Sequence, residues 1–213
     1  MSSLESTPEP DDRDHRTYVS PLRERQARET HDAILDALTR LLEDRSADDV
    51  TTSELAREAE VSQRTVYRQF PDRAALLQGL TERLEAAVGR EPDAAENLEG
   101  LKRQAIDLMA MLEKHATEAR VEAVFNADPR HYGDSTRRHS EQMRNLVSKS
   151  LPNLEPDRQL AVASVVRVLL STQTWLRMRE EFDIDGHESG PIVAWALDAI
   201  VTQAEQGNPP PKN

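Results

Sequence analysis

The sequence predicts an all-α protein. Ala, Leu, Glu and Arg dominate its 213 residues, and all four favour helix. The 7 glycines are few, and the 12 prolines fall mainly at the edges of segments. Apolar residues recur three and four positions apart through most of the chain, as they do on one face of a helix. The length suits one helical body with a small head, or two small domains.

Composition excludes several classes of protein. There is no cysteine, so neither a disulfide nor a thiolate metal site is expected. No segment approaches the roughly 18 unbroken apolar residues of a membrane span, and the acidic N-terminus is unlike a signal peptide. We therefore expect a cytoplasmic protein.

The net charge of −12 disfavours nucleic-acid binding overall, but phosphate contacts depend on local charge. Arginine outnumbers lysine, which fits either a GC-rich genome or a high-salt host.

Two short helices joined by a tight turn are predicted between residues 51 and 70, TTSELAREAEVSQRTVYRQF. Thr51 and Glu54 have the spacing of a capping box, and Val50 and Leu55 that of a hydrophobic staple. Ser62 is a suitable cap for the second helix.

In the second helix, Val66 and Phe70 lie one turn apart and are expected to face inward. Its outer face then carries Gln63, Arg64, Tyr67 and Arg68. Such a face suits the major groove, because arginine can bind guanine and glutamine can bind adenine through paired hydrogen bonds. An ordinary helical hairpin with a solvated polar face is the alternative from spacing alone.

The whole region resembles the helix-turn-helix of the TetR family of transcriptional regulators. The resemblance rests on residues in register across three helices and covers roughly residues 28–88. They are Ile34, Leu35, Ala37, Leu38, Thr51, Thr52, Leu55, Ala56, Ala59, Val61, Ser62, Thr65, Val66, Tyr67, Phe70, Arg73 and Leu76. Three positions depart from the family pattern: Glu60 replaces the usual turn glycine, Gln69 the usual histidine, and Arg73 the common lysine.

The resemblance implies DNA-binding roles for particular residues. Gln63 and Arg64 would read bases, with an added contact from Thr65. Thr51, Thr52, Tyr67, Gln69 and Arg73 would hold phosphates, and Arg68 belongs to the same outer face. It also implies an effector pocket in the C-terminal half. Candidate lining residues are Met109, Met111, Phe125, Trp175 and Met178; ordinary core packing is the alternative for each.

The other elements follow from pattern. Residues 1–20 read as a disordered arm, and the first helix runs from about residue 22 to 44. At its start, Arg23, Arg25 and Arg28 either touch DNA or form a solvated helix end with Glu24 and Glu29. Asp72 caps a fourth helix, which carries Leu76, Leu80, Leu84 and Val88 and links head to body.

The C-terminal half, residues 94–206, is predicted to bind the effector and to dimerise. Helices are expected over about 94–115, over a segment with Val121, Val124 and Phe125, and over 135–150. Breaks are expected at 89–93 and 128–134, and residues 207–213 are a frayed tail. The segments at about 157–178 and 190–205 are apolar nearly all round, with Pro191 at a first helical position. They predict a dimer-forming pair of helices, and the resemblance implies the same, with about nine helices in all.

No catalytic motif is present, so no enzyme activity, cofactor or metal is expected. His131 and His139, with Asp128 and Asp134 nearby, are better explained as a solvated helix end than as a metal site. The function expected is a homodimeric repressor that binds a palindromic operator and is released by a small molecule. The alternatives are an effector-independent regulator or activator with the same head, and a helical interaction module with a vestigial head.

Overall fold

The described residues of the computed structural model are 21–43, 45–88, 97–127, 134–208 and 210. They form ten α-helices and one short 3₁₀-helix, with no β-strand among them. The helices are α1 (Pro21–Leu42), α2 (Thr52–Glu58), α3 (Gln63–Gln69), α4 (Arg73–Val88), α5 (Leu98–Lys114), α6 (Ala116–Phe125), α7 (Asp134–Ser150), α8 (Pro156–Leu169), α9 (Thr172–Phe182) and α10 (Gly186–Glu205). The prediction of an all-α fold is confirmed.

Two hydrophobic cores hold the helices together. Helices α1 to α4 form a head around Ile34, Leu38 and Phe70, and the C-terminal helices form a body around Met109 and Trp175. Helix α4 belongs to both, because Leu80 packs in the head core whereas Leu84 packs in the body core. Helix α6 also reaches both cores, since Ala119 lies in the body and Val121 packs against the head. The head is therefore joined to the body through side chains of α4 and α6, which pack in both cores.

The predicted N-terminal elements are confirmed with small shifts. Helix α1 begins at Pro21 and ends at Leu42, close to the expected bounds. The Asp72 carboxylate accepts a hydrogen bond from the Ala75 amide at 2.8 Å and so caps α4. Helix α5 begins at Leu98 rather than near residue 94, because Asn97 is extended and caps it through the Gly100 amide.

The prediction of a single helix through residues 157–178 was wrong. Helix α8 ends at Leu169, because Leu170 leaves the helical conformation with ψ at 42°. Ser171 then caps α9 by accepting a hydrogen bond from the Thr174 amide at 3.2 Å. This extra break gives ten helices where about nine were expected.

The predicted start of the last helix was also wrong. Pro191 lies inside α10, which begins at Gly186. Asp185 accepts from the amide of Glu188, and the Glu188 side chain accepts from the amide of Asp185, which completes a capping box. The spacing of Asp185 and Glu188 was the sequence signal for this start.

Two glycines let α10 approach α5 closely. A Cβ atom on Gly186 would lie 2.2 Å from the Met109 carbonyl oxygen, and one on Gly190 would lie 3.0 Å from the Ile106 Cα. A side chain at Gly186 would therefore force the two backbones apart, whereas one at Gly190 would need only a small shift. Residues 1–20, 89–96, 128–133 and 211–213 lie outside the described residues, and so do the predicted arm, the two predicted breaks (apart from Asp134, the first residue of α7) and most of the tail. Within the described part of the chain, no helix has the length and apolar composition needed to cross a membrane.

Candidate nucleic-acid interface

Helix α2 is fixed at its first turn by the predicted capping box. The Thr51 hydroxyl accepts from the Glu54 amide at 3.2 Å, and the Glu54 carboxylate accepts from the Thr51 amide at 3.0 Å. The Thr51 hydroxyl also donates to Glu54 at 2.7 Å, and Arg45 donates to the same carboxylate at 3.2 Å. Thr51, through its amide first and its hydroxyl second, and then Arg45 lower the pKa of Glu54 to about 2. Glu54 is therefore held ionised at the start of α2.

The turn between α2 and α3 keeps its shape although it lacks the usual glycine. Glu60 adopts the left-handed conformation, with φ at 55°. Its amide donates to Arg57 O at 3.2 Å, and the Val61 amide donates to Ala56 O at 2.9 Å. These two bonds form a Schellman motif, whose left-handed position costs a non-glycine residue about 1 kcal/mol. The helix-turn-helix geometry therefore tolerates Glu60.

Helix α3 turns its apolar side inward, as the spacing predicts. Val66 and Phe70 are buried in the head core, and Ser62 caps the helix by accepting from the Thr65 amide at 3.1 Å. The Phe70 ring lies 4.7 Å from the His31 ring of α1, centre to centre. Gln63, Arg64, Tyr67 and Arg68 are all exposed on the opposite side, with Tyr67 at 54%.

The other predicted contact residues are partly engaged within the head. The Gln69 side chain donates to the backbone carbonyl of Ala27 at 3.2 Å, so it ties α3 to α1. Arg73 donates to Val50 O at 3.4 Å and lies 3.6 Å from Asp48. The Thr65 hydroxyl is 2.9 Å from the Ser62 hydroxyl. Thr51 and Arg73 remain exposed, whereas Thr52, Thr65 and Gln69 are half-buried.

A cleft of about 260 Å³ lies beneath this surface, between α1, α2, α3 and α4. Its floor is apolar, with Leu38, Leu55 and Val66, and its rim carries Thr51, Thr52, Tyr67 and Arg73. Four of the predicted contact residues therefore surround one opening, and the outer face of α3 lies beside it.

The candidate effector residues lie in the body. Met109 and Trp175 are completely buried in the body core and Phe125 is nearly so, whereas Met111 and Met178 are half-buried. Glu113 of α5 organises this region, because it accepts from Trp175 Nε1 at 3.1 Å and from the Gly186 amide at 2.9 Å. It also pairs with Arg179. Sequence reasoning missed Glu113, since its partners lie more than 60 residues away.

A second charged centre, at the junction of head and body, was also missed. Arg83 of α4 lies 2.6 Å from Asp36 of α1 and 2.9 Å from Glu118 of α6. These residues line an open cleft of about 420 Å³, together with Thr39, Arg40 and His115. In the part of the chain that the structure describes, no group of three or more metal-ligating side chains occurs. His131 and Asp128 lie outside that part, as does the side chain of Asp134.

The head matches a known family. Residues 34–80 match the family model of bacterial regulatory proteins of the tetR family. This segment covers the three predicted helices from the middle of α1 through α3 and half of α4. No protein in a search of curated proteins matches the chain.

Solved structures are similar over most of the chain. A TetR variant from Acinetobacter baumannii AYE, in complex with minocycline, is 18% identical, with a TM-score of 0.56 over 83% of this chain and 97% of that one. NalD, the secondary repressor of the MexAB-OprM multidrug efflux pump in Pseudomonas aeruginosa, is 16% identical, with a TM-score of 0.55 over 82% and 96%. A TetR-like transcriptional regulator from Rhodococcus sp. RHA1 is 16% identical, with a TM-score of 0.53 over 86% and 98%.

At these identities the solved structures establish the fold, and the family model adds the helix-turn-helix itself. Helix α3 has an exposed polar face opposite the buried Val66 and Phe70, as the spacing of its residues predicts. Residues 34–80 are therefore a helix-turn-helix segment of the kind found in bacterial regulatory proteins of the tetR family, and the fold of the chain is similar to that of solved TetR-type proteins.

Proposed function

We propose that this regulator is a homodimeric repressor that binds a palindromic operator and is released by a small molecule. The observation that carries the proposal is the outer face of α3, where Gln63, Arg64, Tyr67 and Arg68 are exposed together on a helix whose other side is buried. An exposed helix with guanidinium and amide groups suits the major groove.

In this proposal, Gln63 and Arg64 at the start of α3 contact the base edges. Neither side chain has a hydrogen bond or an ion pair to another described residue, so the amide of Gln63 and the guanidinium of Arg64 are available for base edges. Thr65 adds a contact near them. Phosphate contacts come from Thr51, Thr52, Tyr67, Arg68, Gln69 and Arg73, which set the register of the protein without reading sequence.

Dimerisation is supported by an exposed apolar surface on α8 and α10. Leu160, Val165 and Val168 of α8 are 49%, 43% and 63% exposed, and Trp195 of α10 is 71% exposed. Ile192 lies one turn before Trp195 on the same face and is 41% exposed. Apolar side chains concentrated on two neighbouring helices indicate a protein interface. A symmetric copy covers this surface with its own α8 and α10, which gives an intermolecular four-helix bundle.

Effector binding is proposed for the body, around Met109, Met111, Phe125, Trp175 and Met178. One relative of this fold was solved with minocycline, and another is named as the repressor of an efflux pump. Release requires the ligand to favour a spacing of the two heads that does not fit the operator. In this proposal, helices α4 and α6 transmit ligand binding from the body to the head, because each contributes to both the head core and the body core.

The test is a gel shift with the DNA upstream of the protein's own gene, followed by footprinting with and without a panel of lipophilic compounds. A protected palindrome and its release by a compound are the expected results. Protection that no compound reverses would favour an effector-independent regulator or an activator. Absence of any specific complex, on this DNA or in genome-wide footprinting, would contradict the proposal and favour an interaction module with a vestigial head.

A further inference from the structure

The start of α1 lies beside the end of the recognition helix α3. Gln69, the last residue of α3, donates to the carbonyl of Ala27, and Phe70 stacks against His31 one turn further along α1. The first buried residue of α1 is Ile34, and all residues from Pro21 to Glu29 are exposed. The first two turns of α1 therefore extend past the head core, next to the proposed DNA surface.

Positively and negatively charged side chains near the start of α1 are distributed unequally between two opposite faces of the helix. At 3.6 residues per turn, Arg23 and Arg28 flank the face that carries Ala27 and His31, and Glu24 lies on that face between them. Arg25, Glu29 and Asp32 lie on the opposite side of the helix. The face directed toward α3 therefore has an excess of positive charge, whereas the opposite face has an excess of negative charge.

The head arginines also divide into two groups by their partners. Arg40, Arg45, Arg73 and Arg83 each form an ion pair with a carboxylate. Among the described residues, no ion pair or hydrogen bond is formed by the side chains of Arg23, Arg25, Arg28, Arg57, Arg64 and Arg68. Arg23 and Arg28 thus resemble the recognition-helix arginines in being exposed and unpaired, although carboxylates are abundant in this acidic chain.

We propose that the first two turns of α1 form a second DNA contact, in which Arg23 and Arg28 bind backbone phosphates at the outer edge of the half-site. This inference rests on the proposed DNA-binding function and extends the same surface. Arg23 lies about 6 Å along the helix axis from Ala27, at ~1.5 Å per residue, and its side chain leans further toward the N-terminus. The contact adds affinity and protects more DNA, but it reads no bases.

The test compares Arg23→Gln and Arg28→Gln with Arg25→Gln, which removes the same charge from the opposite face of the same helix. All three lie at exposed positions, so folding is unaffected, and circular dichroism checks this. Each of the first two variants should weaken operator and random DNA alike, about three- to tenfold, and reduce the salt slope by about 1. Arg25→Gln should change both quantities much less.

Two further measurements complete the test. Glu24→Gln should strengthen binding, because it removes the acid that lies between the two arginines. Hydroxyl-radical footprints of Arg23→Gln should lose protection at the outer edge of each half-site while the centre stays protected. Equal effects of all three arginine variants, or an unchanged outer footprint, would overturn the inference. The proposed function would survive that result, since it depends on specific binding that Arg64 controls.

Discussion

Arg83 of α4 donates to the buried carboxylate of Glu118 on α6 at 2.9 Å. The same guanidinium lies 2.6 Å from Asp36 and also donates to Thr39, both on α1. Thr39 is itself 3.3 Å from Glu118. One arginine therefore joins two helices of the head to a helix of the body, at the cleft between them.

We expect Arg83→Met to destabilise the protein by about 1–3 kcal/mol, because it leaves Glu118 as a buried charge without its main partner. The figure is below that of a fully buried pair, since the Arg83 side chain is 27% exposed. Urea unfolding measures the effect. The double variant with Glu118→Gln should recover part of the loss, and strictly additive losses would contradict a direct pairing.

Arg64→Ala should reduce discrimination between operator and random DNA by about 1–3 kcal/mol, because a base contact is worth that much. Tyr67→Phe serves as the comparison, since a phosphate contact should weaken binding to both DNAs alike. Fluorescence anisotropy with the two duplexes at one salt concentration measures both. Equal loss on both duplexes for Arg64→Ala would argue against base reading, and a purely specific loss for Tyr67→Phe would argue against a phosphate role.

Local signals in the sequence predicted the head almost completely. The capping box of Thr51 and Glu54, the cap at Ser62 and the inward Val66 and Phe70 all depend on residues within a few positions of each other. The pairing of Gln69 with Ala27 joins residues 42 positions apart, and the pairing of Arg83 with Glu118 joins residues 35 apart. Such contacts are decided by how helices pack, and no local pattern records them.

The errors in the body have a different cause, because both missed helix starts carry a local capping signal. The stretch from residue 160 to 174 carries a single charge, Arg167, so its composition did not reveal that Ser171 caps a new helix within it. At α10, Pro191 predicts a start near residue 190, whereas the capping box of Asp185 and Glu188 sets the start at Gly186. Pro191 lies in the second turn of α10, where its missing N–H removes one backbone hydrogen bond, and the helix continues through it.

Trp195→Ala should shift the protein from dimer to monomer and weaken operator binding. Trp195 is 71% exposed, and exposed tryptophans at the centre of an interface often contribute most of the binding energy. Phe182→Ala is a matched control, because Phe182 of α9 is 68% exposed and lies on neither proposed interface helix. Sedimentation equilibrium gives the association constants. A wild-type chain that stays monomeric, or an equal effect of Phe182→Ala, would rule out this interface.

Gly186→Ala should destabilise the body by about 1–3 kcal/mol, as overpacking of a close contact does. The new Cβ would lie 2.2 Å from the Met109 carbonyl oxygen, which belongs to the backbone of α5 and cannot move aside alone. Gly190→Ala should cost less, since its nearest neighbour is 3.0 Å away. Thermal unfolding of both variants measures the difference, and a larger loss for Gly190→Ala would contradict this account of the α5–α10 contact.

The capping box of α2 should make stability depend on pH in the acid range. Hydrogen bonds from Thr51, followed by Arg45, lower the pKa of Glu54 from 4.5 to about 2 in the folded protein. Because the folded pKa is the lower one, this contribution is complete above pH 4.5 and is lost as pH falls from 4.5 toward 2. Glu54→Gln removes the titrating group, so the stability of this variant should fall less than that of the wild type between pH 4.5 and 2.

Asp185 also has a lowered pKa through its bonds to the Glu188 and His187 amides, so the comparison must be made between variants and not from the wild-type curve alone. Urea midpoints at several pH values between 2 and 6 measure it, and parallel curves for wild type and Glu54→Gln would show that the box does not hold Glu54 ionised.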